Sequence, residues 1–114
     1  MSTSIFTKII QREIPATIVF EDDRVIAIED IHPQAPVHIL IIPKKEIPTL
    51  NDIAPEDTEL IGYCLFVAQK IAHSKEIYES GYRVVSNCNF DGGQTVYHIH
   101  FHLLGGRPLT HNFA

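Results

Sequence analysis

Tryptophan is absent, methionine occurs once and cysteine only twice in the 114 residues. Cys64 falls inside a helical apolar pattern and Cys88 in a polar loop, with no framework spacing around either, which excludes a disulfide scaffold and predicts two free thiols. No apolar run approaches the roughly 18 residues that a membrane helix requires. The N-terminal MSTSIFTKIIQRE lacks a basic lead, a long apolar stretch and a small-residue cleavage site, so the expected location is cytoplasmic, with no membrane partner. Basic residues are also scarce. Nine Lys and Arg against 14 Asp and Glu give a formal charge of −5, and Lys44-Lys45 is the only cluster, which argues against a sequence-independent grip on nucleic acid. Any phosphate-bearing partner is expected to be small. No repeat, low-complexity tract or Gly/Ser linker divides the chain, and residues 1–114 are read as a single domain.

The pattern that is present alternates between two periods. Ile5, Phe6, Ile9 and Ile10 recur at helical spacing after Ser2 or Ser4 as a cap, predicting a short amphipathic helix that ends before Pro15 and packs on a sheet. TIVFE and RVIAIED flank Asp22-Asp23 as a hairpin, and VHILIIP reads as a central strand that stops at Pro43. From Pro55 the apolar residues Leu60, Ile61, Cys64, Leu65, Val67, Ala68, Ile71 and Ala72 follow the helical period, with Pro55, Glu56 and Asp57 suited to a first turn. YRVVSN and HIHFHLL then form a hairpin around CNFDGGQ. The order α-β-β-β-α-β-β predicts an α+β domain: an antiparallel five-stranded sheet with one long and one short helix.

In QTVYHIHFHLLGG, His98, His100 and His102 occupy every second position. On a strand they share one face, while Ile99, Phe101 and Leu103 share the other and should meet the helix. A straight strand spreads three such imidazoles over about 13 Å, too far for one metal ion with bonds near 2.1 Å. Two of them could hold an ion only if His38 or Asp91 completed the set. Exposed strand positions chosen for solubility are more commonly Lys, Glu or Thr than His. The remaining reading is catalytic, because an imidazole of unperturbed pKa about 6.5 acts near neutrality as nucleophile, acid or base. The preceding DGGQT offers an anion the backbone N–H groups of Gly92 and Gly93 and the side chains of Gln94 and Thr95. DGG alone also suffices for a hairpin turn, and the two roles can coexist.

HIHFHLL resembles the His-x-His-x-His-x-x signature, with apolar residues at x, of the histidine triad family of nucleotide hydrolases and transferases. The resemblance covers nearly the whole chain: IFTKIIQREIPATIVFEDDRVIAIEDIHPQAPVHILIIPKKEI is similar to the N-terminal half of the Hint branch, and DGGQTVYHIHFHLLGGR to its C-terminal motif. Gly105-Gly106-Arg107 favours Hint over the Fhit-like dinucleoside polyphosphate hydrolases. The resemblance implies a homodimer that binds a purine nucleotide and cleaves purine nucleoside phosphoramidates, AMP- or GMP-linked amines, with no required cofactor or metal. His100 corresponds to the nucleophile that forms a nucleotidyl-histidine intermediate, His102 to a phosphate contact, His98 to an orienting residue and His38 to the fourth histidine of the site. Asn87, Gly93 and Thr95 correspond to phosphate contacts, with Thr95 where Ser is often found. Asp30 corresponds to the acceptor for the ribose hydroxyls, although the residue alone reads equally as a turn former. Ile31, Phe6, Ile9, Phe20 and Ile28 are the expected nucleoside contacts.

His32, His73 and His111 correspond to no catalytic position and are expected at the surface, Cys64 in the core. Many Hint proteins end in a tail whose aromatic residue shapes the choice of leaving group, whereas this chain ends RPLTHNFA, with Phe113 or His111 as the available substitutes. The rival readings are a dinucleoside polyphosphate hydrolase and a nucleotide-binding adaptor with incidental hydrolysis.

Overall fold

The computed structural model describes residues 4–112. Ser4 rather than Ser2, which lies outside the described residues, caps helix α1 (Ile5–Ile10); its hydroxyl accepts the Thr7 N–H at 2.9 Å. Strands β1 (Ile18–Glu21) and β2 (Val25–Glu29) form the expected hairpin. Asp22 closes it by accepting the N–H groups of Arg24 and Val25, both at 2.8 Å. Then come β3 (Val37–Pro43), the long helix α2 (Thr58–Ser74), β4 (Tyr82–Val85) and β5 (Phe101–Gly105). Pro55–Asp57 makes a separate 3-10 turn ahead of α2 instead of its first turn. All neighbouring strands are antiparallel, in the order β1-β2-β3-β5-β4, so the element order and the five-stranded sheet are those expected.

Alternation along the strands sorts the core into two layers. On one face Val25, Ala27, Ile39, Ile41, Ile99, Phe101 and Leu103 pack against Cys64, Val67, Ala68, Ile71 and Ala72 of α2, as their spacing requires. On the other, Ile26, Ile28, Leu40 and Ile42 meet Phe6 and Ile9 of α1. Burying each such side chain contributes about 1.5–3 kcal/mol. Six residues are too few for a helix to persist alone, so α1 depends on these two anchors and on its cap. Its small footprint leaves the rest of that face to the histidines. Among the described residues no helix is long and apolar enough to cross a membrane.

One expected strand begins late. His98, Ile99 and His100 precede β5, which starts at Phe101. The cause is Pro43. Lys44 donates to the Arg24 carbonyl and His38 accepts from Asp30, so even-numbered residues of β3 bond toward β2 and odd-numbered ones toward β5. The register that sets Ile41 opposite Phe101 would set Pro43 opposite Ile99, and Pro43 has no N–H to donate. Ile99 donates instead to the Ile47 carbonyl at 2.7 Å, and the chain leaves the ladder where the triad begins.

Candidate active site

His98, His100 and His102 keep the common face expected of them, now around the end of a strand instead of along one. The His100 ring lies 5.0 Å from that of Phe6, edge to face, and 5.1 Å from that of His102; His38 on β3 lies 5.2 Å from His102. Backbone groups with a fixed donor or acceptor sense determine the tautomers. The His100 Nδ1 lies 2.7 Å from the His98 carbonyl, which only accepts, so Nδ1 carries the proton and Nε2 an unshared lone pair. His98 likewise donates from Nε2 to the Pro43 carbonyl at 2.7 Å, which makes its Nδ1 an acceptor, 2.7 Å from the Ser4 hydroxyl. The Gln34 N–H donates to the His38 Nδ1 at 3.0 Å, so the His38 proton sits on Nε2, 2.9 Å from the His102 Nδ1. His102 therefore accepts at Nδ1 and keeps its own proton on Nε2. Two ring atoms are left uncommitted within the described residues: a lone pair on His100 Nε2 and a proton on His102 Nε2.

Burial lowers the pKa of all four rings. For His100 the hydrogen bond to the His98 carbonyl and the charge of Asp30 oppose burial, and for His38 Asp30 alone does. His98 is held down chiefly by desolvation. His102 falls to about 4, from burial first and then from the neighbouring His100 and His38. The four rings are neutral at pH 7.

Asp30, His38 and His102 bring three ligand-type atoms within 4.8 Å of one another, the arrangement a divalent ion would need. The His38 tautomer argues against that use. A metal-bound histidine donates its other ring N–H to an acceptor, whereas the other nitrogen of His38 faces the Gln34 N–H, a donor. A metal on Nε2 would force the proton onto Nδ1 and set two donors head to head. Asp91, the other candidate to complete a metal set, is exposed and not part of the cluster.

The expected nucleotide contacts divide into those gathered at the site and those used elsewhere. Asp30 forms a turn, Oδ1 accepting the His32 N–H at 2.8 Å, and its Oδ2 lies 3.4 Å from His38 Nε2, beside the histidines. Ile31 beside it is 84% exposed. Phe6, Ile9 and Ile28 are buried in the apolar layer below the histidines, and Ile9 also reaches a surface recess with Ile14, Ala16 and Ile18. Phe20 does not join them. It packs on the opposite face with the α2 layer, its ring 5.2 Å from the Lys70 ammonium, because β1 slips register between Ile18 and Phe20 and sets Phe20 opposite Ala27.

The glycine loop is more self-contained than its composition implies. Gly93, at φ +82°, gives its N–H to the Phe90 carbonyl at 3.0 Å, so that group closes the turn and is not offered to an anion. Gln94 is buried and spent on the fold: its amide donates to the Pro48 and Val96 carbonyls and accepts from the Asn89 N–H. Asn87 holds the Gly92 carbonyl at 2.7 Å, and a Cβ on Gly92 would collide with the Cys88 carbonyl. Thr95 is exposed and makes no hydrogen bond among the described residues, so its hydroxyl is available. His32, His73 and His111 are exposed, His73 stacked on Tyr78, and Cys64 is buried with its thiol pushed up to about 12 by desolvation. Phe113 lies outside the described residues. Ser4, the Pro43 carbonyl and the Gln34 N–H orient the rings and carry no sequence signal for it, being 94, 55 and 4 residues from the histidines they hold.

A family model for the HIT domain matches residues 11–109. The chain belongs to the HIT domain family. It is 58% identical over 106 residues to the purine nucleoside phosphoramidase of Escherichia coli K12, covering 93% of this chain and 89% of that one. Its fold superimposes on a HIT family hydrolase from Legionella pneumophila with a TM-score of 0.94 at 55% identity, over 96% of this chain and 97% of that one. A HIT family hydrolase from Clostridium thermocellum gives a TM-score of 0.95 at 45% identity, over 100% and 99%. The sheet order and the two helices are thus those of the HIT fold.

Proposed function

We propose that this HIT domain hydrolyses purine nucleoside 5′-phosphoramidates, AMP- or GMP-linked amines, by attack of His100 Nε2 on the α-phosphorus. The observation that carries the proposal is the pair of uncommitted ring atoms: a lone pair on His100 and, on a ring centred 5.1 Å away, the His102 N–H. One can form a bond to phosphorus while the other donates to a phosphoryl oxygen whose charge grows in the transition state. As the Nε2–P bond forms, the P–N bond to the amine breaks and the amine leaves with the electron pair, taking a proton from water. The imidazolium that results keeps its Nδ1–H on the His98 carbonyl, an acceptor already in place for the developing charge. Water then attacks phosphorus, the Nε2–P bond breaks, its electron pair returns to His100, and the water's proton goes to solvent. Asp30 Oδ2, beside His38, and the exposed Ile31 next to it would receive a ribose and its base. Asn87, Gly93 and Thr95 would then shape the phosphate end.

The reaction written this way uses imidazoles alone and calls for no metal or cofactor, in keeping with the donor that faces His38 Nδ1. We further propose a homodimer and a cytoplasmic location. β4 pairs only with β5 among the described residues, and its Tyr82 and Val84 are exposed apolar side chains beside that open edge. Both cysteines are free.

Substrate carrying a labelled α-phosphate, quenched during turnover, is expected to leave label on His100, and His100→Ala to lose both label and turnover by about a thousandfold or more. Turnover without label on any histidine would overturn the covalent route. Faster cleavage of a dinucleoside polyphosphate than of an AMP-linked amine would overturn the substrate class.

A further inference from the structure

Helix α1 is capped by the same hydroxyl that meets a triad histidine. His98 is completely buried, so both of its ring nitrogens must find partners inside the protein. Nε2 faces the Pro43 carbonyl, and Nδ1 must therefore receive a proton. Two hydroxyls are near it, Ser4 at 2.7 Å and Thr7 at 3.5 Å. The Thr7 hydroxyl is turned to the Glu46 carboxylate at 2.5 Å, which only accepts, so its proton is committed there. The Thr7 N–H occupies a lone pair of Ser4 Oγ, and of the two acceptors within reach of the Ser4 proton His98 Nδ1 at 2.7 Å lies closer than Thr7 Oγ1 at 3.2 Å. With the Ser4 proton on its nearer acceptor the links run one way: Thr7 donates to Glu46 and, through its amide, to Ser4; Ser4 donates to His98, His98 to Pro43, and His100 to the His98 carbonyl.

We propose that Ser4 is a positioning residue for the nucleophile, supplying the proton that locks His98 in its Nε2–H tautomer and thereby fixes the carbonyl on which His100 is oriented. Glu46 takes the Thr7 proton, which leaves Ser4 as the hydroxyl that donates to His98. This rests on His100 being the nucleophile, as proposed above. The helix N-terminus and the reaction centre then share one hydroxyl, and capping and positioning become separable properties of it. Capping needs an oxygen that accepts the Thr7 N–H; positioning needs an O–H that donates to His98.

Ser4→Asp separates them, since an aspartate caps a helix as well as a serine but has no proton for His98. It is expected to unfold at nearly the wild-type temperature while kcat falls roughly 10–100-fold, the scale of a misaligned reacting group. KM should stay within about threefold. Ser4→Thr, which keeps both functions, should restore kcat, and Ser4→Ala, which removes both, should lower stability and kcat together. Long-range proton–nitrogen NMR of the imidazoles reads the tautomers without substrate. Wild type should show His98 as a single Nε2–H form, and Ser4→Asp a shift toward the Nδ1–H form. A wild-type His98 protonated on Nδ1, or Ser4→Asp with undiminished kcat, overturns the proposal; the first result does not depend on any variant folding. If wild type fails to cleave phosphoramidates while the His98 tautomer still answers to Ser4, the proposed reaction falls and the relay stands.

Discussion

Four neutral imidazoles in one small volume make the site a reservoir of unrealised charge. His38, His98, His100 and His102 all have pKa values lowered by burial, His102 to about 4, whereas in the unfolded chain each would titrate near 6.5. Between those limits the unfolded state binds more protons, so stability rises with pH through this window and is lost as pH falls through it. The carboxylates held low by partners, Glu21, Asp22, Glu46 and Asp57, act only below their ordinary range near 4. A melting midpoint that drops by roughly 10 °C between pH 6.5 and 4.5 therefore belongs to the histidines, the size expected if together they contribute about 2 kcal/mol. Calorimetry at steps of half a pH unit checks it, and a flat midpoint across that window would contradict the buried, neutral rings. The acid limb of kcat/KM should likewise lie below 6.5, because His100 as the proposed nucleophile needs an unprotonated Nε2. None of this was legible from the sequence. Three alternating histidines could be read, and their resemblance to a family could assign them roles, but tautomers depend on the Pro43 carbonyl, the Gln34 amide and the Ser4 hydroxyl, which spacing does not bring together.

Elements defined by a single period were legible, and the exceptions lie at a proline and in a glycine loop. VHILIIP, the hairpin about Asp22 and the α2 stripe fall where alternation and the helical repeat put them, except that Leu65 of the stripe is exposed. The last strand does not, since its start is set by a missing amide on a different strand, at Pro43. Phe20 lies on the far side of the sheet because β1 slips register between Ile18 and Phe20, an irregularity that alternation in the sequence does not announce. In the loop, the sequence offered Gln94 to a phosphate, and the fold spends it on Pro48, Val96 and Asn89. Gln94→Ala strands those backbone groups and should cost about 1–3 kcal/mol. Urea denaturation followed by far-UV circular dichroism measures that loss, and unaltered stability would return Gln94 to the list of ligand groups.

At the scale of the molecule, the open edge at β4 is the feature that asks for a partner. Replacing Val84 with Lys puts a charge among exposed apolar groups at that edge and should shift the protein from twice the chain mass to once in light scattering. A wild-type monomer would overturn the proposed dimer, and a Val84→Lys dimer would place its contact elsewhere. The sheet order has a further consequence, in time. β5 is the last strand of the chain, yet it lies between β3 and β4, and β4 has no other neighbour among the described residues. On the ribosome, β1, β2 and β3 can join into a meander as they emerge, while β4 must wait with both edges open until Phe101–Gly105 slides between them. The strand that directly follows His100, the proposed nucleophile, is thus also the one that closes the sheet, and a chain released before it is made would carry neither the proposed activity nor a finished fold.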